Sequence, residues 1–217
     1  MRERYHQELD RLESETLTLG HLVASAIPES IRLLAAGDLA GARRLVAWDD
    51  QVNARRHEIE LDTLALIATQ GPMAGETRFL AAILDVSDEL ERIGDYAKGI
   101  ASITLKKDAE PYPDAVMALL VAMAQRSQDM LVRSLEALHC QDVALARMII
   151  REDDAVDALF NEVFAHVITA GAPDTRAMER ANYLLWVAHN LERTADRVTN
   201  ICERVIFTAG EAFRTDG

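Results

Sequence analysis

The sequence predicts an all-α fold of two tandem, pseudo-symmetric three-helix bundles, six long helices in all. Three observations predict it. One phrase occurs twice, as Leu90-Glu91-Arg92-Ile93-Gly94-Asp95 and again as Leu191-Glu192-Arg193-Thr194-Ala195-Asp196. Apolar residues recur three and four apart, the period of a helix face, and no segment alternates as a half-buried strand does. Glycine, proline and aspartate punctuation cuts the chain into pieces of about 30 residues, a length that suits a bundle.

The duplication holds its register over most of the chain. Residues 90–100 and 191–201, offset by 101, share Leu, Glu, Arg, Asp and Ile. Upstream, Asp49-Asp50-Gln51-Val52-Asn53 matches Asp153-Asp154-Ala155-Val156-Asp157 with an offset of 104, and Gly37-Asp38 matches Gln141-Asp142 in the same register. The change from 104 to 101 is expected in the turns, with a longer loop at residues 70–75 than around 171–173. A repeat of this period sets the architecture. It divides the chain into a first three-helix repeat, 1–110, and a second, 111–217.

The first helix is expected over 3–36. Pro28 falls inside it and should kink it, because proline lacks an amide donor and crowds the preceding turn. The second, 38–69, begins after Gly37, and Asp38 can cap its orphan amides. The third, 74–107, follows the Gly71-Pro72 break. Pro111 and Pro113 separate it from the fourth, 113–140. The fifth, 142–170, has Asp142 as its cap. The sixth, 174–211, starts at Asp174 and shows the period most clearly. Its residues Ala177, Ala181, Leu184, Ala188, Leu191, Ala195, Val198, Cys202 and Val205 form one seam.

Composition narrows the function. A formal net charge of −13 repels nucleic acid and anionic lipid alike. The chain has no phosphate-cradling glycine loop, no dinucleotide fingerprint and no nucleophile–His–acid order. No run approaches the ~20 apolar residues of a membrane span, and the charged start Met1-Arg2-Glu3-Arg4 does not read as a signal peptide. Cys140 and Cys202 are far apart and lack metal-type spacing, as expected of reduced thiols in an intracellular protein.

The chemistry lies in the acids. Asp49/Asn53, Glu91/Asp95, Asp153/Asp157 and Glu192/Asp196 are oxygen pairs spaced i, i+4, so each pair shares a helix face. Asp49 and Glu91 stand at similar distances from the turn between their helices, as do Asp153 and Glu192, so each half should bring its two pairs level. Asp49 and Asp153 also interrupt apolar seams, and a buried carboxylate is costly unless paired or coordinated. Asp88 and His189 hold equivalent places three residues before Glu91 and Glu192, which makes them candidate additional ligands. Oxygen sets suit magnesium, calcium or manganese; with a histidine they also suit iron or zinc.

Together these phrases resemble the PhoU family of phosphate-transport accessory proteins, over about residues 3–208. The resemblance implies a non-enzymatic, cytoplasmic metal-binding regulator of phosphate homeostasis. It implies negative regulation of phosphate uptake and of the phosphate-starvation response, by coupling the phosphate ABC transporter ATPase to a sensor histidine kinase. It also implies a homodimer, peripheral to the inner face of the membrane through protein partners, with surface clusters for iron, zinc, manganese or magnesium. The chain departs at Asn53, where an acid is usual, and at Gly99, where the second copy has Asn200, so the first site is expected to be the weaker. Three alternatives stay open. One is a di-metal carboxylate enzyme built on Glu3-x-x-His6 and Glu136-x-x-His139. Another is a structural scaffold. The third is an accessory protein of a different phosphate transporter.

Overall fold

The structure is a computed structural model that describes residues 2–106, 110–171 and 174–210. It has six helices: α1 (Arg2–Ala36), α2 (Leu39–Gln70), α3 (Ala74–Lys106), α4 (Asp114–Cys140), α5 (Val143–Ala170) and α6 (Thr175–Thr208). No strand occurs among the described residues. α1 runs unbroken through Pro28. The helix ends expected at 107 and 211 lie outside the described residues, and α6 gives way to a turn at Ala209 and Gly210.

The predicted caps form. Asp38 Oδ1 accepts from Gly41 N at 2.8 Å, Asp142 Oδ1 from Leu145 N at 2.9 Å and Asp174 Oδ1 from Ala177 N at 2.8 Å. Each such cap is worth about 1 kcal/mol. α1 and α4 end alike: Asp38 N donates to Leu33 O at 3.1 Å and Asp142 N to Ala137 O at 2.9 Å. This closure needs a left-handed residue, supplied by Gly37 at φ 63° and, at the equivalent place, by Gln141 at φ 53°.

The offset change is not taken up where the sequence suggested. Three residues, 71–73, separate α2 from α3, whereas four, 171–174, separate α5 from α6. The shortening is in the helix itself: α2 has 32 residues and α5 has 28. Losing four residues removes about one turn, so the remaining faces keep their direction.

α1, α3, α4 and α6 form the centre, α1 packing on α3 and α4, and α6 on α3 and α4; α2 flanks α1 and α3, and α5 flanks α4 and α6. The apolar core is continuous across both repeats, joining Ile27, Ile93 and Ile100 to Leu131, Leu191 and Val198. The predicted α6 seam is buried from Leu184 to Val205, with Ala177 and Ala181 half-buried. At the α1–α4 crossing, Gly20 lets the helices close up: a Cβ there would stand 2.5 Å from Leu135 Cδ1.

Candidate metal centre

The two repeats place their acids alike and treat them differently. In the first, Asp49 sits on α2 with its side chain only 3 % exposed. Its Oδ2 accepts from Asn53 Nδ2 at 2.9 Å and from Lys98 Nζ at 2.6 Å. Lys98, on α3, also reaches Asp95 Oδ1 at 3.2 Å. Arg56, one turn beyond Asn53, pairs with Asp88 at 3.2 Å and with Glu60. Burial and the charge of Asp95 push the Glu91 carboxyl up, and Arg56 offsets part of that rise. The pairs therefore do come level across α2 and α3, as the equal arms required, and Lys98 already pairs with one carboxylate from each helix. Asp49 Oδ1 remains buried without a partner.

In the second repeat those cations are missing. The position of Lys98 is held by Thr199, whose Oγ1 donates to Asp196 O at 2.7 Å. The position of Arg56 is held by Phe160, whose ring lies 6.4 Å from that of His189. Among the described residues, no Lys or Arg pairs with Asp153, Asp157, Glu192 or Asp196. His189 Nδ1 lies 3.2 Å from Glu192 Oε2, an ion-pair separation without hydrogen-bond alignment. Burial, with the charges of Asp157 and Asp196, pushes the Asp153 carboxyl up to about 6. Burial and then Asp196 raise Asp157 and Glu192 as well, His189 offsetting part of the rise at Glu192. Like charges drawn together out of water hold protons until a cation neutralises them.

These arrangements differ as metal hosts. Among the described residues, no three His, Cys, Asp or Glu side chains stand in a ready-made metal-binding group. In the first repeat the Lys98 ammonium stands among the acids, so the residues do not fit a metal ion. The second repeat offers four carboxylates and an imidazole on two facing helices, with raised carboxyl pKa values at Asp153, Asp157 and Glu192. It also has a buried Asp153 Oδ1 without a partner and, among the described residues, no Lys or Arg paired with these acids, a donor chemistry that suits a hard cation. Lys98 and Arg56 escaped the sequence reading, although the 101 and 104 offsets, followed two turns further, expose both replacements.

The di-metal alternative finds no geometry. Glu3, His6, Glu136 and His139 are all exposed, and His139 Nδ1 lies 3.1 Å from Glu13 on antiparallel α1 rather than facing Glu3 or His6.

The same two halves are visible in known proteins. The sequence profile of the PhoU domain matches twice, over residues 16–104 and 120–205. The chain belongs to the PhoU family. A phosphate-specific transport system accessory protein PhoU homolog from Caulobacter vibrioides is 33 % identical over 204 residues, 94 % of this chain and 88 % of that one. Another, from Xylella fastidiosa, is 32 % identical over 203 residues, 94 % and 85 % of the two chains. Among solved structures, the phosphate transport system regulatory protein PhoU from Streptococcus pneumoniae superimposes with a TM-score of 0.89 at 28 % identity, covering 97 % of this chain and 99 % of that one. PhoU from Pseudomonas aeruginosa gives 0.88 at 26 % identity, covering 95 % and 99 %. The relatives carry the names of accessory or regulatory proteins. No described helix is long and apolar enough to cross a membrane.

Proposed function

We propose that this chain is a cytoplasmic accessory regulator of a phosphate transport system, acting by protein contact rather than by catalysis. It lowers phosphate uptake and the starvation response when phosphate is plentiful, standing between the transporter ATPase and a sensor kinase, and works as a homodimer. The observation that supports this most is the double PhoU match, which extends over both halves of the fold. The acidic seam of the second repeat adds a metal ion to the proposal. Asp153, Asp157, Glu192 and Asp196 would hold it, with His189 as a further donor. A bound cation would supply the positive charge that Lys98 and Arg56 supply in the first repeat.

Complementation tests the regulatory reading. In a bacterial strain lacking its own PhoU, this chain should restore repression of a phosphate-starvation reporter in high phosphate. Failure to repress, with the protein expressed and folded, would end that reading. Calorimetry with Mn²⁺, Zn²⁺ and Fe²⁺ tests the metal reading separately. One ion per chain is expected, lost in the Asp153→Ala/Glu192→Ala variant with helicity intact.

A further inference from the structure

The outer seam between α5 and α6 carries two different surfaces end to end. On α5, Asp153, Asp157, Phe160, Phe164 and Ile168 follow at intervals of four, three, four and four residues, so they form one stripe. On antiparallel α6, Asp196 and Glu192 lie at the acidic end and Met178 toward the other. The stripes meet midway, where the Phe160 and His189 rings are 6.4 Å apart. Beyond that point the surface is apolar and open: Phe164 is 48 % exposed, Ile168 60 % and Met178 61 %.

The first repeat builds the matching seam differently. At the places of Phe160, Phe164 and Met178 it has Arg56, Glu60 and Thr77. Arg56 pairs with Glu60 and Asp88, and Lys98 with Asp49 and Asp95, so cations of the chain itself pair the acids of that seam, although Asp49 Oδ1 keeps no partner and Leu64 is exposed. The second seam has lost both cations and gained two exposed apolar side chains, Phe164 and Met178. Among the described residues, no Lys or Arg pairs with these acids, and Phe164, Ile168 and Met178 stay exposed.

We propose that the outer α5–α6 seam docks an amphipathic helix of a partner protein, basic at one end and apolar at the other. Its basic side chains enter among Asp153, Asp157 and Asp196, and its apolar face lies on Phe164 and Ile168. The site rests on the reading of the chain as an accessory protein that acts by contact. Asp153 and Ile168 are 15 residues apart along α5, about 22 Å, which a partner helix of about four turns would span. Charge complementarity selects this occupant. A second copy brings the same acids to the seam, so two-fold self-pairing leaves the carboxylates without a cation. An anionic membrane surface is repelled by the acidic end. The partner's basic end and a metal ion would compete for the same oxygens.

A labelled synthetic helix of about 16 residues, arginines in its first two turns and leucines on one face of its last two, tests this by anisotropy with the full chain. It should bind at least about ten-fold more tightly than a peptide of the same residues in scrambled order. Phe164→Glu/Ile168→Glu and, separately, Asp157→Lys should each weaken it by about ten-fold or more, with circular dichroism unchanged. Leu64→Glu, on the matching stripe of the first repeat, should change it less than about two-fold. Equal binding of the scrambled peptide, or indifference to Phe164→Glu/Ile168→Glu, overturns the proposal. So does a wild-type dimer that this double variant makes monomeric, because a second copy would then fill the face. Mn²⁺ titration of the peptide-free chain reads the metal site alone, and the reporter strain reads the regulatory role, so their failure is distinguishable from failure of docking.

Discussion

Tyr96 and Arg197 hold the same position in the two repeats, and they touch: Arg197 Nε donates to Tyr96 Oη at 3.2 Å. Arg193 stacks on the Tyr96 ring at 4.9 Å, Arg197 Nη1 reaches Glu89 at 3.4 Å, and Arg204 reaches Asp85 at 3.3 Å. The partner's number rises as the α3 number falls, so α3 and α6 cross antiparallel about a pseudo-two-fold axis near Gly94 and Ala195. The Glu13–His139 pair and the Gly20–Leu135 approach give α1 and α4 the same sense.

The Tyr96–Arg197 pair should therefore couple the halves. In a double-mutant cycle with Tyr96→Phe and Arg197→Met, urea unfolding is expected to give a coupling of about 0.5–1.5 kcal/mol. Strict additivity of the two single changes would remove the pair from the account of how the repeats are held together.

Thr199→Lys should convert the second seam into the first. A lysine there would reach Asp153 and Asp196 as Lys98 reaches Asp49 and Asp95. The metal-free protein should gain about 1 kcal/mol and lose its affinity for Mn²⁺. Calorimetry and thermal melts on the same sample check both. Unchanged metal binding would show that the cation in the first repeat is not what separates the two sites.

Lys98→Thr is the converse change. It strips the buried Asp49 carboxylate of its cation and should destabilise the protein by about 2 kcal/mol, less than a fully buried pair because Lys98 is 37 % exposed. Adding Asp49→Asn should recover much of that loss. No recovery would mean that Lys98 stabilises through packing of its methylene stem.

The pH dependence of the second seam has a definite sign. Asp153 is raised to about 6 in the fold from an ordinary value of 3.8. Between those values the folded state binds the extra proton, so stability falls as pH rises through that window and stays lower above it. Asp157 and Glu192, also raised, act in the same direction. With solvent screening, the effect in chelator-treated protein should be about 1 kcal/mol between pH 4 and 7. Asp153→Asn should flatten it. The same protons compete with metal, so Mn²⁺ affinity should drop as pH falls below about 6.

Gln141→Gly offers a test of the repeat logic at a helix end. Gln141 holds φ 53° where the first repeat has Gly37, and it is exposed. Glycine should add about 0.5–1 kcal/mol, seen as a raised melting temperature. A loss would mean that the left-handed conformation is not strained there.

The sequence alone determined the helices, their number and their duplication, because helix period, aspartate caps and glycine stops are local properties of the chain. It also put the acid pairs level across α2–α3 and α5–α6, since equal arms on either side of a short turn fix height without any knowledge of packing. The location of the missing residues was not local. One helical turn removed from α5 leaves the same faces pointing the same way, so loop and helix shortening look alike in an offset. The offsets show Thr199 in the place of Lys98, but only the tertiary structure shows that the side chain at this place is what the acids meet. Asp49 and Asp153 are equivalent in the chain, yet Lys98 crosses from the next helix to satisfy one while Thr199 leaves the other charged among its own kind. That difference depends on a side chain 49 residues away along the chain and 2.6 Å away in space.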